Sequence, residues 1–367
     1  MSSVARDDAS ALARRALASF GERLALHADD IGTELARSLH LVAWDREQLI
    51  GAAQARLDAI ATTRVLDRGG VPARIAEWRT QPLEALDAVW ALLVAGRRVA
   101  YEAEAGACGS TAALLAEASA ELPPGTLTLL PTPAEPVGTG SGASASGLSA
   151  SQRAAKIDPG DPTTWPRVGV AAAVRRVAWI DADADHELAA YVLARTCLRR
   201  SGLDPRGVQV VYAAGNVERL QRQIQRLWVG AQLGPADDPR SFAGPVDAPT
   251  RDAFLVAHAA WSTAPGVATW CAGAELEHAD GEAIYLAPAA FATPWPLPEL
   301  PRVGPMCCIV ACTTEQAIDA ANAAASRGAQ VVQVGGRAGT LRGDVRHIRG
   351  AVLVERLPPG LPEPRPS

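Results

Sequence analysis

Apolar positions at helical spacing open the chain. Leu12, Ala16, Phe20, Leu24 and Leu26 recur at roughly three- and four-residue steps, and Ile31, Leu35, Leu39, Val42 and Leu49 do so again, so residues 9–62 read as helices, with Asp29 or Asp30 capping the second. Gly69-Gly70-Val-Pro72 is a break. Helix and short strand then alternate: a helix over 82–95 ended by Gly96, a strand at 99–101, a helix over 110–120 with Ser110 or Thr111 near its start, and a strand at 126–130. This order with short Gly or Pro turns predicts βαβ units around a parallel sheet.

Residues 131–165 interrupt the order. Their Pro, Gly, Ser and Ala content buries too little apolar surface to offset the entropy of ordering, so a flexible linker is expected, with one helical turn near 149–155. The second half resumes with a strand over 168–180, a helix over 181–197 with acids in its first turn, a strand at 208–212, an Arg-rich amphipathic helix over 217–229 and a loop over 231–249. A helix over 250–260 follows, then strands at 267–271, 283–286 and 306–311, a helix over 315–325, and strands at 329–334 and 350–354. The Pro-rich stretch 356–367 reads as a disordered tail.

Composition narrows the classes. The 367 residues are 48% hydrophobic and 20% charged with a net charge of −5, a balance that suits a folded domain protein and gives no electrostatic footprint for nucleic acid. No apolar run approaches the ~18–20 residues of a membrane span, and acids near Met1 are unlike a signal peptide. The six cysteines form no CxxC pair and no zinc-like spacing, which excludes a recognisable metal site and fits a reducing cytoplasm. Three lie in the apolar run Met306-Cys-Cys-Ile-Val-Ala-Cys312, where inert core thiols are the plain reading. Asp181, Asp183, Asp185, His186 and Glu187 form an acidic knot that reads either as a cation site or as a capped helix start. Arg219, Arg222 and Arg226 share one helix face, solvated or in a subunit contact. Lys156 is the one lysine in the chain.

Six stretches, in one order, resemble the aldehyde dehydrogenase superfamily. Trp78-Arg-Thr-Gln-Pro-Leu with Ala88 to Tyr101 is similar to the family's Trp-Asn-Phe-Pro segment, its helix and the strand after it. Glu121-Leu-Pro-Pro-Gly-Thr-Leu-Thr-Leu-Leu130 is similar to Leu-Pro-Pro-Gly-Val-Leu-Asn-Val-Val, and Ile180-Asp-Ala-Asp-Ala-Asp185 to Phe-Asp-Asp-Ala-Asp-Leu-Asp. Trp228-Val-Gly with Gly244-Pro-Val, then Val303-Gly-Pro with Glu315-Gln-Ala-Ile-Asp-Ala-Ala-Asn322, complete the set. The resemblance implies an α/β architecture: a Rossmann-like cofactor domain over 1–130 and 166–188, a second, catalytic-like α/β domain over 189–355, and truncation at both ends relative to a full member.

The same resemblance implies that the reacting groups are gone. The family's nucleophilic cysteine falls at Leu203 or Pro205, and the nearest thiol, Cys197, is a weak candidate placed in a helix. The general-base glutamate falls at Gly169, the oxyanion asparagine at Arg79 next to Trp78, the cofactor lysine at Glu102, and the glutamate of Glu-x-Phe-Gly-Pro at Pro301, ahead of Gly304 and Pro305. Trp78, Arg79, Glu102, Gly169, Gly304 and Pro305 would then line a vestigial cleft, with no catalytic residue, no metal and no bound cofactor expected. The function implied is a catalytically inactive, cytoplasmic, oligomeric protein, paired with itself or with an active aldehyde dehydrogenase paralogue and having no nucleic acid or membrane partner. The alternative is an NAD(P)-dependent aldehyde or acyl-thioester oxidoreductase with an atypical site; a third reading is a ligand-binding module without chemistry.

Overall fold

A computed structural model describes residues 3–63, 71–79, 81–104, 107–132, 158, 160–168, 176–277, 283–337, 339–348 and 358–362. The chain divides into two compact units, one of Met1–Leu39 with Arg46–Ala172 and one of His40–Asp45 with Ala173–Ser367.

In the first unit, helices α1 (Ser3–Leu26) and α2 (Ala28–Leu39) precede α3 (Ala43–Thr62), which contributes from Arg46 onward. Asp29 and Asp30 sit in the first turn of α2 rather than at its cap, where they still oppose the helix dipole favourably. Strand β1 (Ala73–Glu77), α4 (Ala85–Val94), β2 (Val99–Ala103), α5 (Gly109–Ala120) and β3 (Leu127–Leu129) follow, and the strands form a parallel sheet in the order β1-β2-β3. Helix α4 buries Leu86, Val89, Trp90 and Leu93, one face at helical spacing. Trp90 meets Phe20 of α1 at 5.1 Å between ring centroids.

The sequence places the start of α4 at Pro82. It begins three residues later because Leu83 takes a left-handed φ of 64°, outside the helical region, while its N–H donates to the Glu77 carboxylate at 3.0 Å. Strand β1 itself was not expected. The end of the expected linker is also ordered: Trp165 is 3% exposed, and residues 166–168 run parallel to β1, with Arg74 N–H donating to Pro166 and Val168 N–H to Arg74. The helical turn expected at 149–155 lies outside the described residues.

The second unit carries strands β4 (Arg176–Ile180), β5 (Val208–Ala214), β6 (Ala268–Glu277), β7 (Ile284–Pro294), β8 (Met306–Cys312), β9 (Gln330–Val334) and β10 (Val345–Ile348) in the order β10-β9-β4-β5-β8-β7-β6. All pairs are parallel except β6 with β7. Helices α6 (His186–Cys197) and α7 (Val217–Val229) cover one face, and α8 (Ala248–Ser262) and α9 (Thr314–Ser326) the other, each over its own apolar cluster, which is the doubly wound arrangement.

Several expectations are corrected here. Strand β4, expected to finish the cofactor domain, lies inside this sheet between β5 and β9, because its burial on both faces needs a partner on each edge. Helix α6 starts at His186, since Asp185 caps it through the N–H groups of Glu187 and Leu188 at 2.9 and 3.2 Å. The expected strand at 350–354 lies outside the described residues; β10 precedes it. In the expected disordered tail, Pro358–Pro362 is docked. Gln232 N–H donates to the Gly360 carbonyl at 2.8 Å and the Tyr191 hydroxyl donates to that of Pro362.

Candidate functional site

The first unit presents Trp78, Arg79, Glu102 and Glu104 just beyond or at the carboxyl ends of β1 and β2. Trp78 is half-buried and Arg79 exposed, its backbone N–H donating to Glu104 Oε2 at 2.8 Å. Glu102 is 7% exposed. Arg74 Nε lies 3.6 Å from its carboxylate and Arg167 donates to it directly. The register explains this: Ala76 is opposite Glu102, and alternation puts Arg74 on that same face. The Glu102 carboxylate, where the resemblance puts a cofactor-binding lysine, is thus buried and engaged by two guanidinium groups. Gly169 lies outside the described residues; Val168, one residue before it, is held against β1.

A group that the sequence does not announce stands on the other face. Glu77 is fully buried and accepts the Tyr101 hydroxyl as well as the Leu83 N–H. Burial pushes its carboxyl up to about 7, against the hydrogen bonds from Tyr101 and Leu83 that pull it down. Close by, Glu34 of α2 accepts the N–H groups of Gly109 and Ser110 and occupies the amino-terminal end of α5. Burial raises its pKa, but the bonds from Ser110, Gly109 and Cys108 win and hold it below the usual carboxylate range. That carboxylate takes the anion position that a helix start otherwise offers.

In the second unit, the loop after α6 is the segment where the resemblance puts the nucleophile. Arg200, Ser201 and Gly202 take left-handed φ values of 55°, 54° and 77° in succession. A Cβ on Gly202 would lie 2.1 Å from the Gly304 carbonyl carbon, so this loop abuts Gly304–Pro305 backbone to backbone. The Ser201 hydroxyl donates to the Gly244 carbonyl at 2.7 Å. Two of the stretches that carry the resemblance, those containing Gly244 and Gly304, therefore meet at this loop. Leu203 is exposed and Pro205 half-buried.

Asp204, between them, is turned inward. Its carboxylate lies 3.4 Å from Arg199 Nε, which is 3.5 Å from Asp45 Oδ1; Asp45 also accepts the Arg200 N–H at 2.9 Å. Burial pushes the Asp45 carboxyl up to about 6, with the Arg199 charge opposing. Two carboxylates around one guanidinium hold the loop in shape, but at 1% and 8% exposure neither Asp45 nor Asp204 reaches a ligand.

Cys197 is 2% exposed, at the end of α6, and its thiol is hydrogen-bonded to that of Cys307 on β8. Burial and that contact push the Cys307 thiol far up, and burial lifts Cys271 to about 12. Cys307 and Cys271, so held in protonated form, are poor nucleophiles, and Cys197 is closed off by its burial. All six cysteines are unpaired. The acidic knot is used structurally: Asp185 caps α6, and Asp183 accepts the Gly336 N–H at 2.6 Å. Among the described residues no group of three or more His, Cys, Asp or Glu is placed to hold a metal ion.

No family model matches the chain, and no curated protein does. Solved structures do. An aldehyde dehydrogenase from Bartonella henselae aligns with a TM-score of 0.70 at 16% identity over 92% of this chain and 79% of that one. An NAD-dependent aldehyde dehydrogenase from Sinorhizobium meliloti gives 0.70 at 15% over 97% and 78%. A 1-pyrroline-5-carboxylate dehydrogenase from Thermus thermophilus gives 0.67 at 16% over 98% and 77%. At this identity the likeness establishes a fold: the chain is an α/β protein with the aldehyde dehydrogenase-like architecture.

Proposed function

We propose that this protein is a catalytically inactive aldehyde dehydrogenase-like scaffold that acts by assembly or regulation, as a homo-oligomer or beside an active aldehyde dehydrogenase paralogue in the cytoplasm. The observation that carries the reading is the loop after α6. It keeps a strained backbone packed on Gly304–Pro305 yet presents an exposed Leu203 and a half-buried Pro205, while the nearest thiol, Cys197, is buried against Cys307. The carbonyl chemistry of such a fold needs an accessible thiolate.

The residues at the ends of β1 and β2 also do not suit a dinucleotide. Glu102 offers a carboxylate where a ribose-binding cation is wanted, and Arg74 and Arg167 already engage it. No step through a nicotinamide is therefore assigned. No helix among the described residues is long and apolar enough to cross a membrane.

The test is titration calorimetry of NAD⁺ and NADP⁺ into the folded protein up to millimolar cofactor, followed by an aldehyde oxidation assay. No heat of binding and no turnover are expected. Saturable micromolar binding together with turnover abolished by Cys197→Ala would overturn the reading and establish the oxidoreductase alternative.

A further inference from the structure

The stretch Pro358–Pro362 is seated on the second unit by matched shapes. Pro359 and Gly360 form its turn, and Gly360 takes a left-handed φ of 77°, as the third residue of a type II turn requires. The proline before it presets that turn. Pro358 is buried, and Leu361 packs on the apolar cluster beneath α6 and α7.

Three elements make the receiving groove. Gln232, just past α7, donates its N–H to the Gly360 carbonyl at 2.8 Å. Its own carbonyl accepts the Phe242 N–H at 2.8 Å, and Leu233 bridges to Ala243, so the two loops form one ledge. From α6 the Tyr191 hydroxyl donates to the Pro362 carbonyl. A Cβ on Gly360 would lie 2.3 Å from the Arg240 carbonyl oxygen and 2.8 Å from the Phe242 nitrogen. Gly230 has an ordinary helical backbone that any residue adopts, yet a Cβ there would lie 2.5 Å from Pro362 Cγ. The groove thus lacks a side chain where the segment has a ring, and the segment lacks one where the groove has backbone. A hydrogen bond stands beside each of these close approaches.

We propose that Tyr191, Gly230, Gln232 and the loop 240–242 form a docking site for a Pro-Pro-Gly-Leu-Pro turn, and that the turn of a second copy of this chain exchanges into it. The chain's own segment is the resident occupant. Each copy carries one turn and one groove, so two copies that trade turns fill both grooves and close a two-fold pair. Within one chain the turn is held at an effective concentration on the order of millimolar, and a second copy competes as the protein approaches that range. The proposal rests on the assembly reading above and names its device.

The experiment titrates a synthetic peptide of residues 357–363 into the full chain and into its Gly360→Val variant, whose own turn collides with the Arg240 carbonyl. Circular dichroism checks that the variant is folded. The variant is expected to bind the peptide at one saturable site, and the wild type about tenfold or more weakly because its resident turn competes. A peptide carrying Gly360→Val should bind neither. Adding Tyr191→Phe to the variant should weaken the peptide about threefold. Should Gly360→Val fail to fold, Pro359→Ala loosens the resident turn at an exposed position and must raise peptide affinity about threefold over the wild type. Light scattering against concentration reads the exchange: the wild-type mass should rise toward that of a pair, and excess peptide should return it to that of one chain. No saturable peptide binding to the folded variant overturns the docking site. An assembly that persists in Gly360→Val and in excess peptide overturns the exchange and leaves the assembly reading standing, whereas a single chain at every concentration overturns the exchange and self-assembly together.

Discussion

Glu77 and Asp45 hold protons that ordinary carboxylates release. The Glu77 carboxyl titrates at about 7 in the folded protein against 4.5 normally, and Asp45 at about 6 against 3.8. In each case the folded state binds the proton more tightly than the unfolded chain, so stability falls as pH rises between the two values. For Glu77 the fall is on the order of 3 kcal/mol, from about 1.4 kcal/mol per unit, complete above pH ~7. Glu77→Gln is expected to flatten the stability profile between about pH 5 and 7, and Asp45→Asn between about pH 4 and 6. Melting temperatures across pH read both effects, and variant profiles parallel to the wild type would refute the assignment. Neither group was legible in the sequence. Ala73-Arg-Ile-Ala-Glu77 has charges at two of five positions, so its burial pattern is hidden, and Asp45 sits among helical residues that look solvated. Cys197 was legible as a helix-face thiol, though its contact with Cys307 depends on a strand more than a hundred residues away.

Elements with strong periodicity were read well. The helix expected over 217–229 is α7 residue for residue, since its apolar Leu220, Ile224 and Leu227 are set off by arginines. Strands made of alanine were underestimated. Strand β7 runs to Pro294 through Ala287-Pro-Ala-Ala-Phe291, residues of low strand propensity that pairing with β6 and β8 overrides. Strand β10 was missed because Val345-Arg-His-Ile348 is an edge strand with charged positions. The loop after α6 offers the sharpest test at this scale. Gly202→Ala forces a Cβ into the Gly304 backbone and is expected to cost about 3 kcal/mol or more. Gly266 has a similar φ of 75° but open space around it, so Gly266→Ala should cost only about 1 kcal/mol. Urea unfolding of the two variants separates strain from collision, and equal losses would mean that the loop yields.

At the scale of the whole molecule, the architecture was legible because glycines and prolines at turns, such as Gly304-Pro305 and Pro123-Pro-Gly125, carried the resemblance to the aldehyde dehydrogenase-like fold. The division between units was not. The strand that follows residue 175 reads as a continuation of the first unit, and its true neighbours β5 and β9 are fixed by pairing. Assembly is the function proposed, so light scattering of the purified protein is expected to give a mass above the 38.2 kDa of one chain. A strict monomer that captures no aldehyde dehydrogenase from its native source would remove the basis for that role.

The order of strands in the second sheet also sets a timetable for synthesis. Strand β4 finds β5 soon after it leaves the ribosome, but its other edge waits for β9, with Arg176 and Gln330 separated by 154 residues. Until then an apolar parallel strand has one open side, the kind of exposed edge that invites wrong pairing in partly made chains. The growing chain therefore depends on chaperones or slow release through most of its second half, and pulse-labelled nascent chains should gain protease resistance in this unit only once residue 334 has emerged.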